Sequence, residues 1–115
     1  MSKIDLGYLI DITDGDKEIM IEMIDLLLEE TPKHLKNIKT FYENKQWTKL
    51  GAEAHKLKPM LLYVGLTELN EATQELETNG KKAQNLETIP VLIEQLEEGF
   101  ISVIEELEEK KTQLN

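Results

Sequence analysis

Apolar residues recur along this chain at steps of three and four, the spacing that gathers side chains on one face of an α-helix. A short set, Leu6, Leu9, Ile10 and Ile12, precedes the turn sequence Thr13-Asp14-Gly15-Asp16. Met20, Met23, Ile24, Leu27, Leu35, Ile38 and Phe41 then hold one stripe from Lys17 to about Asn44. Asp14 or Asp16 can cap that helix, whose first amide donors lack intrahelical partners. Pro32 interrupts the stripe, but the same face resumes after it, so the pattern predicts a kink and not a break. Residues 43–46, ENKQ, form a polar connector with Asn44 as a cap. Trp47, Leu50, Ala54, Leu57, Leu61 and Val64 make the next seam, ended by Gly65. Thr67 can cap a further segment that turns Leu69, Ala72 and Leu76 inward. Asn79-Gly80 reads as its stop, and KKAQNLET as the longest loop. The last helix begins near Thr88, with Pro90 in its first turn, where a missing N–H costs nothing. Its stripe is Ile89, Leu92, Ile93, Leu96, Phe100, Val103, Ile104 and Leu107, and the tail beyond is expected to fray.

No stretch alternates in the manner of a strand. Four amphipathic helices with short connections pack most simply as an all-α, antiparallel up-down-up-down four-helix bundle. The short N-terminal helix would close one end. A chain of 115 residues fits one domain, spanning 1–115. The starting methionine and the capped first segment suggest a free-standing protein.

Charge narrows the function. The net charge is −10, and every basic residue is a lysine. Nucleic-acid binding needs a basic face, commonly with arginine forks, so nucleic acid is not an expected partner. The acidity favours solubility and steering toward a basic partner surface. There is no cysteine, which removes disulfide and thiolate chemistry. Neither a signal peptide nor an apolar run near the roughly 20 residues of a membrane helix is present. No membrane association is expected, and the cytoplasm is the expected compartment.

Most catalytic chemistry also lacks its residues. Two histidines without cysteine cannot supply a zinc site, and Glu30/His34 and Glu53/His55 miss the Glu-x-x-His spacing of di-iron bundles. No glycine-rich phosphate loop and no G-x-S-x-G occurs. His34, in KHLKN and flanked by lysines, reads as an ordinary surface residue. His55 differs. With Ala54 and Leu57 turned inward, it points to the flank or outward, sharing a face with Lys58, Pro59 and Leu62. A neutral imidazole nitrogen can carry a phosphoryl group, and a lysine one turn away can offset the phosphoryl charge. No nucleotide cradle accompanies them, so ATP is not the expected donor. A plain surface His–Lys pair on a non-catalytic helical adaptor explains the same residues.

The stretch AHKLKPMLLYVG, 54–65, resembles the signature of histidine-containing phosphotransfer (HPt) domains, roughly A-H-x-L-K-G with a glycine ten residues after the histidine. Ala54, His55, Leu57, Lys58 and Gly65 match. The likeness extends to a short first helix, a four-helix bundle, Trp47 early in the histidine's helix and the Leu76-Glu77 ending of the next. The resemblance implies that His55 is phosphorylated, through Nε2 or Nδ1, and that Lys58 neutralises the phosphoryl group. It further implies an imidazole contact from Gln74 or Glu77, a structural Gly65, and a docking surface of Lys56, Pro59, Met60, Leu62 and Tyr63. The implied partners are response-regulator receiver domains and a hybrid sensor histidine kinase. No cofactor is implied in the bundle, with Mg2+ on the receiver only. The implied activity is that of a phosphoryl carrier, not of an ATP-dependent kinase.

Two positions depart from the family pattern. Leu61, where a small residue is common, falls on the seam and can pack inward. Pro59 stands where glycine is usual, and it has no N–H to offer the carbonyl of His55, at about 3 kcal/mol for an interior helix position. Pro59 is either a plain kink or a compact substitute for glycine that loosens the backbone beside the histidine.

Overall fold

A computed structural model describes residues 3–115; the start of the single-domain span, at Met1 and Ser2, lies outside them. The described residues form five α-helices and one 3-10 turn, with no strand. They are α1 (Gly7–Thr13), α2 (Lys17–Glu43), α3 (Trp47–Tyr63), α4 (Thr67–Lys82) and α5 (Ile89–Leu114), with the 3-10 turn at Leu86–Thr88. A 27-residue helix spans about 40 Å at 1.5 Å per residue. The molecule's long axis is 43 Å, so α2 runs nearly its full length. Both α2 and α4 pack against α3 and α5, and α3 with α4 makes the most extensive helix pair.

Most residues of the stripes named above form the core. Met20, Ile24, Leu27, Leu35 and Ile38 of α2 are buried, together with Leu50, Ala54, Leu57 and Leu61 of α3. Leu76 of α4 and Ile89, Leu92, Ile93, Leu96, Phe100, Val103 and Leu107 of α5 complete it. Helix α2 is unbroken through Pro32, as is α3 through Pro59. Asp16 caps α2, accepting from the Ile19 amide at 3.1 Å. Trp47 is half-buried and packs its ring against Tyr42 at 5.9 Å.

Several boundaries fall elsewhere than the local pattern places them. Asn44 is a cap, closing the C-terminal end of α2, but Gln46 stands at the N-cap of α3 without a side-chain bond. Leu66, not Thr67, is the N-cap of α4. Asn79 and Gly80 do not stop α4, which continues to Lys82. The reason is contact: a Cβ on Gly80 would lie 2.9 Å from the Gly51 amide nitrogen and 2.9 Å from the Trp47 carbonyl oxygen. Gly80 is a packing residue where two backbones touch. The expected loop shrinks accordingly. Helix α5 also runs on to Leu114, where Lys111 pairs with Asp25 of α2 and Leu114 rests on the core.

The end of α3 shows why Gly65 occupies its place. It has φ +76°, the left-handed region that glycine enters freely. Its amide donates to the Leu62 carbonyl and the Leu66 amide to the Leu61 carbonyl, at 3.1 and 3.0 Å, closing the helix with a Schellman motif. The Asp5 amide donates to the Val64 carbonyl at 2.9 Å. A Cβ on Gly65 would stand 2.8 Å from the Asp5 Cβ. The segment leading into α1 is thereby fixed to the α3–α4 turn.

Candidate functional site

Helix α3 buries a broad stripe because it has neighbours on two sides. The strip between its buried flanks faces water, and there lies His55, with 62% of its side chain exposed. The next helix supplies its partner. Glu77 of α4 is buried, and its Oε2 lies 2.9 Å from Nδ1 of His55. Lys58 donates to Glu77 Oε1 at 2.9 Å and to Gln74 Oε1 at 2.5 Å. Lys81, one turn beyond Glu77 on α4, donates to Oε2 at 2.7 Å. One buried carboxylate thus gathers an imidazole and two ammonium groups.

Burial alone would raise the Glu77 pKa. The hydrogen bonds from Lys81, Lys58 and His55, and the charge of Lys58, outweigh burial and pull it down to about 2. The carboxylate is therefore ionised at neutral pH and can only accept. It follows that Nδ1 of His55 carries the proton, leaving the Nε2 lone pair unprotonated on the neutral ring. A folded-state pKa below the unfolded value, 4.5, means that the unfolded chain binds more protons as pH falls. Glu77's contribution is complete above about pH 4.5 and is lost as pH drops toward 2, on the order of 2 kcal/mol after solvent screening. Glu77→Gln should flatten this part of the stability–pH profile, which denaturant melts between pH 6 and pH 2.5 would measure.

Around His55, Lys56, Pro59 and Leu62 are exposed and Tyr63 is half-buried. Tyr63 stacks on Tyr8 of α1 at 6.5 Å between ring centroids, which carries the apolar surface onto the first helix. Met60 does not belong to this surface. It is buried at 7% exposure, because it stands one turn after Leu57 and two after Glu53, on the flank that packs inward. Gln74 reaches Lys58 and not the imidazole. A cleft of about 610 Å³ is lined by Lys3, Leu66, Thr67, Gln95 and Ser102 among others, and His55 is not part of it. His55 stands on an open helix face, a geometry for meeting another macromolecule and not for enclosing a small substrate.

Two residues have roles here that the sequence pattern did not assign. Lys81 was legible at i+4 from Glu77, a spacing that joins side chains on one helix. Glu53 was not: His34 and Asn37, which bind its Oε2, stand on another helix. Its Oε2 lies 2.6 Å from His34 Nδ1 and accepts from Asn37 at 3.0 Å, while Oε1 accepts from Lys56 at 3.3 Å. His34 is accordingly no free surface residue; it is recessed against α3, with 17% of its side chain exposed.

A family model described as the Hpt domain matches residues 22–110 of the 115. The chain belongs to the Hpt domain family. Hpt domains serve histidine phosphotransfer in two-component phosphorelays, with receiver domains and histidine kinases as partners. Comparison with curated proteins and with solved structures gave no match. The Hpt match begins inside α2, so α1 lies outside the matched region, and its Tyr8 stacks on Tyr63 within it. No helix of the described residues is long and apolar enough to cross a membrane.

Proposed function

We propose that this Hpt domain carries a phosphoryl group on Nε2 of His55 between aspartyl-phosphate receiver domains, fed by a hybrid sensor histidine kinase in the cytoplasm. One observation carries the reading: Nδ1 is engaged by an ionised buried carboxylate while the imidazole itself protrudes into solvent. The Nε2 lone pair attacks phosphorus, the N–P bond forms, and the P–O bond to the receiver's aspartate breaks. The bond pair leaves with the aspartate carboxylate, so no proton has to move. Phosphorylation gives the ring positive charge, which Glu77 stabilises through Nδ1–H. Lys58, held within reach by Glu77 and Gln74, offsets the phosphoryl oxygens. Lys56, Pro59, Leu62 and Tyr63 form the docking surface, and Mg2+ belongs to the receiver.

The same reading takes α2–α5 as an up-down-up-down antiparallel bundle. Two registers support it. His55 faces Glu77 and Lys58 faces Gln74 across α3–α4; Lys39 pairs with Glu97 and Asp25 with Lys111 across α2–α5. Rising numbers on one helix meet falling numbers on the other in both pairs.

Incubation with a phosphorylated receiver domain tests the function. Acid-labile, base-stable label on this chain is the expected result, and its absence with every receiver of the same cell would overturn the proposal. Pro59 has its own test. Pro59→Gly restores an N–H to the His55 carbonyl and should stabilise the domain by about 1 kcal/mol net of unfolded-state entropy. It also deletes an exposed apolar ring beside His55, so transfer should slow; an unchanged rate in stopped-flow assays would leave Pro59 as only a bend.

A further inference from the structure

The arrangement around His55 has a counterpart on the other side of α3. His34 of α2 places Nδ1 2.6 Å from Oε2 of Glu53, just as His55 places Nδ1 against Oε2 of Glu77. Both carboxylates are buried, each on the next helix in the chain. Each accepts on Oε1 from a lysine of α3, Lys56 for Glu53 and Lys58 for Glu77. A side-chain amide completes each group, Asn37 on Glu53 and Gln74 on Lys58. Burial would raise the Glu53 pKa, but hydrogen bonds from His34, Asn37 and Lys56 outweigh it and hold it below the usual carboxylate range. Glu53 therefore accepts, Nδ1 of His34 donates, and the lone pair lies on Nε2. Among the described residues Nε2 of His34 has no hydrogen-bond partner, yet it is not among the buried unsatisfied atoms, so it reaches solvent.

We propose that His34 is a second phosphoacceptor, specific for small phosphoryl donors whose leaving group departs without a proton. The difference in exposure, 17% against 62%, sets that donor class. A receiver's aspartyl phosphate lies within a protein surface and needs a protruding imidazole, whereas a small donor reaches a recessed one. With zwitterionic phosphoramidate, the Nε2 lone pair forms the N–P bond, the donor's P–N bond breaks, and its electron pair leaves with ammonia. The ring becomes cationic, and Glu53 stabilises it through Nδ1–H. Lys56 lies 3.3 Å from Glu53 and supplies the neighbouring positive charge.

The inference does not depend on receiver transfer, and its test uses none. Wild type, His55→Ala, His34→Gln and the doubly substituted chain are incubated with labelled phosphoramidate, and the products are mapped by mass spectrometry and 31P NMR. His55→Ala should take acid-labile label on His34 as the Nε2 isomer, and the double variant should take none, there being only two histidines. Glu53→Gln in the His55→Ala background should slow labelling by about tenfold or more, since it removes the group that fixes the tautomer. Glu53→Gln alone should still label on His55, and a cooperative thermal melt shows that its fold is intact. Three results would overturn the proposal: a His55→Ala chain that stays unlabelled while wild type labels, a product on Nδ1 of His34, or a rate indifferent to Glu53→Gln.

Discussion

His55→Ala and His55→Gln are expected to abolish acceptance of phosphoryl groups from a receiver domain, a loss of about a thousandfold or more, because the nucleophile itself is gone. His34 does not rescue the reaction, since its ring is recessed against α3. Stability should barely change. His55 is an exposed partner of Glu77, and Lys58 and Lys81 remain on that carboxylate. A surface change of this kind stays within about 1 kcal/mol. Transfer assays beside thermal melts separate the two effects. A variant that melts like wild type and still takes receiver-derived label would remove His55 from the mechanism.

Gly80→Val should be the most damaging change away from the histidine. The added Cβ meets backbone atoms of Gly51 and Trp47, at 2.9 Å in each chain position, and backbone cannot swing aside as a side-chain tip would. Overpacking of this kind costs about 3 kcal/mol, partly offset by valine's better helix propensity. For a domain of this size that lowers the melting temperature by about 10 °C. The damage reaches the site as well. A Cβ on Gly51, opposite Gly80, would be 2.9 Å from the Glu77 carbonyl oxygen, so widening this contact moves Glu77 away from α3. Receiver transfer should slow with stability, and the His55 ring resonances should lose the signature of a bonded Nδ1–H. A Gly80→Val melt within about 2 °C of wild type would show that the helices separate there without strain.

The same glycine marks a limit of reading structure from sequence. Asn79-Gly80 has the local chemistry of a helix stop, and nothing near it in the chain says that another backbone lies across it. Only the α3–α4 approach makes Gly80 an interior residue. The tail behaves likewise: residues after Leu107 carry a thin stripe, but Lys111 finds Asp25 far away in sequence, and the helix continues. Where burial repeats with helical period the sequence was sufficient. The α5 stripe from Ile89 to Leu107, apart from half-buried Ile104, and the α3 seam from Leu50 to Val64 are buried. Met60 was misjudged because one seam was read on α3, whereas a helix between two neighbours buries a wider face. Glu53 sits on that wider face, which is why His34 looked free.

The Nδ1–Glu77 bond has one more consequence, concerning encounter. An exposed histidine normally samples several rotamers, and a partner that needs one of them must freeze the rest during association, at about 0.5–1.5 kcal/mol per side chain. Here the buried carboxylate has already selected one orientation in the free domain. The loss of torsional entropy falls on folding, where the α3–α4 interface absorbs it. A colliding receiver then meets a lone pair with a fixed direction, and fewer of its approaches end without transfer.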